Sequence, residues 1–264
     1  MQYKIFQVDA FGRGPFTGNP AAIVPLETWL DDSTLQSIAQ ENNLSETAFF
    51  VQRADRYSIR WFTPKVEVDL CGHATLAAGH VLFYELNYPK DMITFQSRSG
   101  DISVAKKGEH LELDFPIDNL RSSKKPPSEF EKGLSARPVE VFEGKDDYLC
   151  IFNSSEEVRQ LKPDFKALIE VGKRGVIVTS LGEPSEKWDF VSRGFFPQSG
   201  IDEDPATGSA HTTLTKYWSE KTGKLSFNAC QLSSRKGYFM CTVNQDRVKI
   251  SGATHLYMKG EILI

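Results

Sequence analysis

The stretch Leu70-Cys71-Gly72-His73-Ala74-Thr75-Leu76-Ala77-Ala78-Gly79-His80-Val81-Leu82-Phe83-Tyr84 decides the fold. From Ala74 to Phe83 it predicts a helix that is apolar on nearly every side, and such a helix must be enclosed by protein rather than laid on a surface. The segments around it read as short strands, so what encloses it is a sheet. Its start has a definite grammar: the acid Asp69, small residues, a glycine, then helix. The same grammar returns half a chain later in Glu203-Asp204-Pro205-Ala206-Thr207-Gly208-Ser209-Ala210-His211, with a helix running on through Tyr217 and Trp218. Two such turns, at Gly72 and Gly208, suggest a duplicated architecture in which each half carries strands and one helix that starts on a glycine turn. A helix start offers backbone N–H donors and partial positive charge, which favour a carboxylate or phosphate. For the second start, an Asp204 N-cap followed by Pro205 at the first helical position accounts for the same residues without a ligand.

With 264 residues and 40% apolar content, the chain can build one large domain or two ordinary ones. The net charge is −4, from 31 basic and 35 acidic residues well mixed along the chain. No basic field exists to attract nucleic acid or anionic lipid, so a small anion would need a local site. No apolar stretch reaches the roughly 18 residues of a membrane span, and the N-terminus is strand-like without a signal-peptide pattern. The reading is a soluble, cytoplasmic protein. The four cysteines, Cys71, Cys150, Cys230 and Cys241, show no C-x-x-C spacing, which argues against a disulfide scaffold and a zinc knuckle. There is no G-x-G-x-x-G, P-loop or H-E-x-x-H, so neither a cofactor nor a metal is expected.

In chain order, a first strand through Val8, Ala10 and Phe11 breaks at Gly12-Arg13-Gly14-Pro15 and again at Gly18-Asn19-Pro20. Asn19, held extended before a proline, either presents its amide sideways or simply punctuates a turn. Ser33-Thr34-Leu35-Gln36 has capping-box spacing ahead of a short amphipathic helix. Then Leu44-Ser45-Glu46-Thr47-Ala48-Phe49-Phe50-Val51 places a carboxylate at the head of a strongly apolar strand. Desolvation there would suit Glu46 to take and return a proton near neutral pH; the alternative is a strand-end glutamate leaning into water. His80 reads as a hydrogen-bonded core histidine, while His73 either caps its turn or serves a site. Arg193 either pairs with Glu203 or Asp204 or meets a substrate carboxylate. The proline, serine and lysine of residues 116–128 mark a linker. The boundary falls near 118, giving an N-terminal half over 1–118 and a C-terminal half over 119–264 whose last strand is a candidate to cross back.

Five motifs in order, Val8-Asp9-Ala10-Phe11, Phe16-Thr17-Gly18-Asn19-Pro20-Ala21-Ala22, Leu44-Ser45-Glu46-Thr47, Cys71-Gly72-His73-Ala74-Thr75 and Glu203-Asp204-Pro205-Ala206-Thr207-Gly208-Ser209-Ala210, resemble the PhzF-like family of phenazine biosynthesis. The resemblance implies an α+β fold like that of diaminopimelate epimerase: two pseudo-symmetric halves, each a mostly antiparallel sheet around a central helix, with a site in the cleft between them. It implies Glu46 as acid/base, with His73 and Asp204 as its polar companions. Gly72, Gly208 and Ser209 would then be donors to an anionic group, with Asn19 and Ser45 lining the pocket. The expected activity is a cofactor-independent isomerisation of a small carboxylate-bearing metabolite. Oriented N–H dipoles at helix starts would hold the carboxylate and stabilise the enolate-like charge that develops when Glu46 removes the adjacent proton.

Two other readings stand beside it. Cys71, at a glycine turn and helix start where a thiolate is stabilised, suggests an amino-acid epimerase or racemase. Such a mechanism needs a second base, and the Asp204 turn carries no cysteine. The second is a non-catalytic small-molecule-binding protein, distinguished by ligand binding without hydrogen exchange. The resemblance also implies a homodimer.

Overall fold

The computed structural model describes the whole chain, Met1–Ile264. It divides into two compact units: residues 1–115 together with 250–264, and residues 116–249.

In the first unit, β1 (Gln2–Ala10), β2 (Asn19–Leu26), β3 (Glu46–Arg53), β4 (Arg56–Phe62), β5 (Glu67–Val68), β6 (Met92–Ser97), β7 (Gly100–Lys107) and β8 (His110–Pro116) accompany helices α1 (Asp32–Asn42) and α2 (Gly72–His80). Along the sheet β1 is antiparallel to β2, β2 parallel to β3, β3 antiparallel to β4, β4 parallel to β6, and β6 antiparallel to β7. Parallel neighbours cannot be joined by a hairpin, and here each parallel pair is bridged by a helix: α1 between β2 and β3, α2 between β4 and β6. All nine residues of α2 are buried, and the helix packs against β1, β2, β3 and β7. The enclosed helix read from the sequence is therefore present. It ends at His80 rather than Phe83, continuing as a wider π turn over Val81–Glu85 in which Leu86 N–H donates to Val81 O at 2.9 Å. On the other side of the sheet Leu35, Ile38 and Ala39 of α1 cover Val24, Phe49 and Val51. With helices on both faces, β3 reads as an unbroken apolar run rather than an alternating one. The N-cap of α1 is Asp31, whose carboxylate accepts from Thr34 N–H at 2.9 Å. Ser33 of the expected capping box instead donates its hydroxyl to that same carboxylate.

The second unit holds β9 (Arg121–Ser122), β10 (Glu140–Glu143), β11 (Asp147–Ile151), β12 (Gly175–Leu181), β13 (Phe190–Phe195), β14 (Ser226–Gln231), β15 (Gly237–Asn244) and the first half of β16 (Arg247–Gly252), with α3 (Glu129–Leu134), α4 (Ser155–Gln160), α5 (Phe165–Ile169) and α6 (Gly208–Thr222). The pairing pattern repeats: β10 antiparallel to β11, β11 parallel to β12, β12 antiparallel to β13, β13 parallel to β14, β14 antiparallel to β15. Here α4 and α5 bridge the first parallel pair and α6 the second. The duplication suggested by two glycine turns is thus a repeat of topology. α6 carries more polar residues than α2, and its threonines satisfy themselves locally: Thr215 Oγ1 donates to His211 O and Thr212 Oγ1 to Ser209 O. Trp218 Nε1 donates to Thr179 Oγ1 on β12 at 3.1 Å, so its one polar atom is paired inside the core.

The region expected to be a linker is tied down. β9 pairs with β10, and the Asp118 carboxylate accepts from Lys145 N–H and the Thr213 hydroxyl. The last strand, β17 (Thr254–Leu263), lies antiparallel to β1 from Ala10 to Gln2, so residues 250–264 belong to the first unit, where a boundary at 118 alone would have put them in the second. No helix is long and apolar enough to cross a membrane.

Gly79 marks the tightest helix-to-sheet approach, since a Cβ there would stand 2.7 Å from Val104 Cγ1 on β7. Val104 is fully buried and short, with little room to yield. Gly79→Val is expected to cost about 2 kcal/mol by overpacking, read as a lower denaturation midpoint in urea with an unchanged slope.

Candidate active site

The start of α2 gathers the first set of predicted residues. Asn19 and Glu46 open the adjacent strands β2 and β3, so parallel pairing brings both to the same end of the sheet, where α2 also begins. Cys71 is the N-cap of α2 in extended conformation, and its side chain makes no cap hydrogen bond. His73, in the first turn, is the hub: Nδ1 lies 3.1 Å from Asn19 Nδ2 and 3.6 Å from Cys71 Sγ, and Nε2 lies 3.2 Å from Glu46 Oε2. An amide nitrogen can only donate, so Nδ1 accepts and the ring proton sits on Nε2, facing Glu46. That last contact is close but not aligned as a hydrogen bond. Burial pushes the His73 imidazole down to about 3, so it is neutral at physiological pH. Glu46 is 8% exposed, against the reading of a strand-end residue leaning into water. Ser45 is half-buried beside it. Thr75 Oγ1 donates to Cys71 O and fixes the turn.

The second set is organised around Asp204. α6 begins at Gly208 with Thr207 as N-cap, so Asp204 and Pro205 are neither the N-cap nor the first helical residue. Asp204 instead lies buried in the preceding loop, its Oδ2 accepting from Thr207 Oγ1 at 2.5 Å. The loop is locked by Gln231 at the end of β14, which the sequence did not single out. Its Oε1 accepts from Thr207 N–H at 2.8 Å, while its Nε2 donates to Asp204 O at 2.6 Å and to Thr207 Oγ1 at 3.1 Å. With Thr207 held this way, its side chain makes no cap hydrogen bond to the helix start. Gly208 is buried and Ser209 half-buried at that start.

A cation also missed by sequence reading stands there. Arg174, one residue before β12, pairs with Asp147, its Nε 2.9 Å from Oδ1, and its Nη2 reaches Ser209 Oγ at 3.4 Å. Desolvation works against its charge, but Asp147, with Asp146 and Asp204 nearby, holds it firmly protonated. Neither Arg174 nor Gln231 lies in a motif, and only the strand register carries them to the Asp204 loop. Arg193 is resolved otherwise: its guanidinium takes both Glu203 oxygens, at 2.8 and 3.0 Å, and donates to Val158 O and Leu161 O. It braces the fold and is not a substrate anchor. His80 is a core residue, with Nδ1 2.7 Å from Thr254 Oγ1.

The ligand atoms of Glu46, Cys71 and His73 lie within 4.8 Å of one another, a set that could chemically hold a metal ion. Its Nδ1 corner is already taken by the Asn19 amide.

Two repeated sheet-and-helix units with polar residues at each helix start define the diaminopimelate epimerase-like class of α+β proteins. The chain matches the family described as phenazine biosynthesis-like protein over residues 8–260 and belongs to that family. It is 48% identical over 262 residues to a protein of Pseudomonas aeruginosa named as an uncharacterized isomerase, covering 99% of each chain. Among solved structures it is similar to a PhzF family phenazine biosynthesis protein of Enterococcus faecalis, with a TM-score of 0.94 and 43% identity over the full length of both. A hydroxyproline epimerase of Agrobacterium vitis shares the fold alone, with a TM-score of 0.62 and 9% identity over 99% of this chain and 92% of that one. The family match and the relative named as an isomerase place the chain with enzymes of the isomerase kind.

His211 supplies a test of the second helix start. Its Nδ1 lies 2.8 Å from Thr207 O, so that nitrogen carries the proton, and burial pushes its pKa down to about 4 despite the pull of that carbonyl. The unfolded chain takes up this proton near 6.5 and the folded one only near 4, so the contribution is intact above 6.5 and is lost as pH falls through that window. On the order of 2 kcal/mol of stability should disappear between pH 7 and pH 4.5 from this residue alone. His211→Asn is expected to flatten that slope in urea titrations at each pH.

Proposed function

We propose that the protein is a cofactor-independent isomerase that moves a proton on a small carboxylate-bearing substrate, with Glu46 as the acid/base. The observation that carries this reading is the buried Glu46 carboxylate 3.2 Å from a neutral, Asn19-oriented His73 at the start of α2. A buried carboxylate beside a neutral imidazole can take a C–H proton without placing two charges in contact, and His73 Nε2–H can steady the carboxylate while it is ionised. Abstraction α to a carboxylate leaves electron density on the carboxylate oxygens. The N–H groups of Gly72 and Ala74 point along the helix axis toward its start and favour that charge. Returning the proton to another carbon of a conjugated substrate completes an isomerisation, in which one proton leaves and one arrives and no redox partner is needed. At the start of α6, Gly208, Ser209 and Arg174 are proposed to take an anionic group, with Asp204 as a hydrogen-bond acceptor beside them.

Glu46→Gln keeps shape and removes the proton carrier. Turnover should fall by roughly two to four orders of magnitude while ligand affinity and thermal stability stay close to the parent. In deuterium oxide, the parent should place solvent deuterium in product, and the Gln variant should not. A Gln variant that turns over within a few-fold of the parent would move the base elsewhere.

The thiol reading keeps one observation of its own, Cys71 Sγ 3.6 Å from His73 Nδ1 at the N-cap. Under the Glu46 mechanism, Cys71→Ser should retain most turnover. Abolished turnover in a folded Ser variant would give the thiol first place. Gly208→Val should weaken binding of a carboxylate ligand, measured by calorimetry, because the added side chain crowds the helix start.

A further inference from the structure

His73 stands between two groups that bind metals. Its Nδ1 is 3.6 Å from Cys71 Sγ and its Nε2 is 3.2 Å from Glu46 Oε2, and one ligand atom from each of the three residues falls within 4.8 Å of the other two. A tetrahedral zinc ion, bonded at about 2.3 Å to sulfur and about 2.0–2.2 Å to nitrogen and oxygen, would hold its ligand atoms roughly 3.3–3.6 Å apart. The spacing of Glu46 and His73 is already near that of two ligands on one ion. Their contact is not aligned as a hydrogen bond, so an ion entering between them displaces none there.

We propose that Glu46, Cys71 and His73 bind a thiophilic divalent cation, of which zinc is the type, and that the bound ion shuts the site. The set offers one sulfur, one nitrogen and one oxygen, which suits zinc or cobalt and not magnesium or calcium. Ionised Cys71 and Glu46 together carry two negative charges, so a divalent ion leaves this buried cluster without net charge. The positive end of α2 opposes a cation only with partial charges, which two full negative ones outweigh.

Asn19 holds the Nδ1 side of the ring, so the ion takes Nε2. The ring proton then moves from Nε2 to Nδ1, and the Asn19 amide turns so that its Oδ1 accepts it. Such a bond from the far nitrogen is the usual support of a metal-bound imidazole. Cys71, whose side chain makes no cap hydrogen bond, turns about its Cα–Cβ bond to complete the set, and its thiol proton passes to solvent. The fourth position is left to water. The way in is beside Glu46, whose side chain keeps 11% of its surface exposed against 4% for His73. A bound ion occupies the carboxylate oxygen that would receive the substrate's proton. The loss of activity therefore rests on the acid/base reading of Glu46, whereas the binding does not.

The test is calorimetry with zinc chloride and absorption spectroscopy with cobalt chloride, on the intact protein stripped with a chelator and without substrate. One zinc ion should bind at a micromolar or lower dissociation constant and release a proton, read from the dependence of the heat on the buffer. Cobalt should produce the intense near-ultraviolet band of a thiolate ligand, which Cys71→Ser should abolish and Cys230→Ser should leave. Asn19→Ala should weaken zinc roughly tenfold or more, the cost of losing the partner of a metal-bound imidazole. Glu46→Gln should weaken it at least as much while the cobalt band persists, and this variant decides the matter if Cys71→Ser fails to fold. A parent that binds no zinc, a cobalt band that survives in folded Cys71→Ser, a Glu46→Gln variant of unchanged zinc affinity, or equal affinity for magnesium would each overturn the site. Zinc should also stop turnover by the parent, and a chelator should restore it; undiminished turnover by the zinc-loaded protein would overturn the inhibition. Full turnover by metal-free Glu46→Gln would overturn the acid/base reading and leave the metal binding standing, so the two fail separately.

Discussion

Everything in this structure follows from the need to hide α2. A helix with no polar face cannot meet water on any side, so its surroundings must supply apolar contact all round. The first unit does this with strands on several sides of the helix, and all nine residues of α2 are buried. Only the helix ends can then reach polar groups, and the first-turn N–H groups are the donors that the helix itself leaves unsatisfied. Polar side chains of this unit are thereby gathered where β2, β3 and α2 all begin. The second unit repeats the pairing pattern and sets α6 in the same topological position, with Asp204 and Gln231 fixing the loop that leads into it.

Polar residues inside so apolar a framework must be exactly partnered or held neutral, and the site uses both devices. His73 is stripped of its charge by burial and given one tautomer by Asn19. His211 is treated alike, through a backbone carbonyl instead of a side chain. Three guanidiniums are paired in forks, Arg193 with Glu203, Arg174 with Asp147 and Arg60 with Glu67. Removing one partner of such a fork leaves a poorly solvated charge behind, which is why these pairs brace the fold more than they add to its stability.

Family membership and geometry support each other without being the same statement. The family match spans residues 8–260 and the E. faecalis structure superposes over the full chain, which settles the architecture. The more distant epimerase, at 9% identity, shares the fold and says nothing of this chain's activity. What this chain does must come from its own residues, and the proposal made for it rests on Glu46, buried beside His73 at the start of α2.

The sequence by itself determined the two glycine turns, the enclosed helix and the repeated plan. Those signals are local: small residues and continuous apolar character need no partner to be read. It also offered Glu46 as a candidate, heading an apolar strand, and only the family resemblance turned that candidate into an acid/base expectation. Tertiary structure decided what distance in sequence conceals. Arg174 and Gln231 reach the Asp204 loop only through strand register, and Asp204 is a buried loop acceptor and not an N-cap because Gln231 holds Thr207 in the capping position. The last strand joins the first because β1 is paired by β2 on one side alone, and an unpaired inner edge costs more than a long return of the chain.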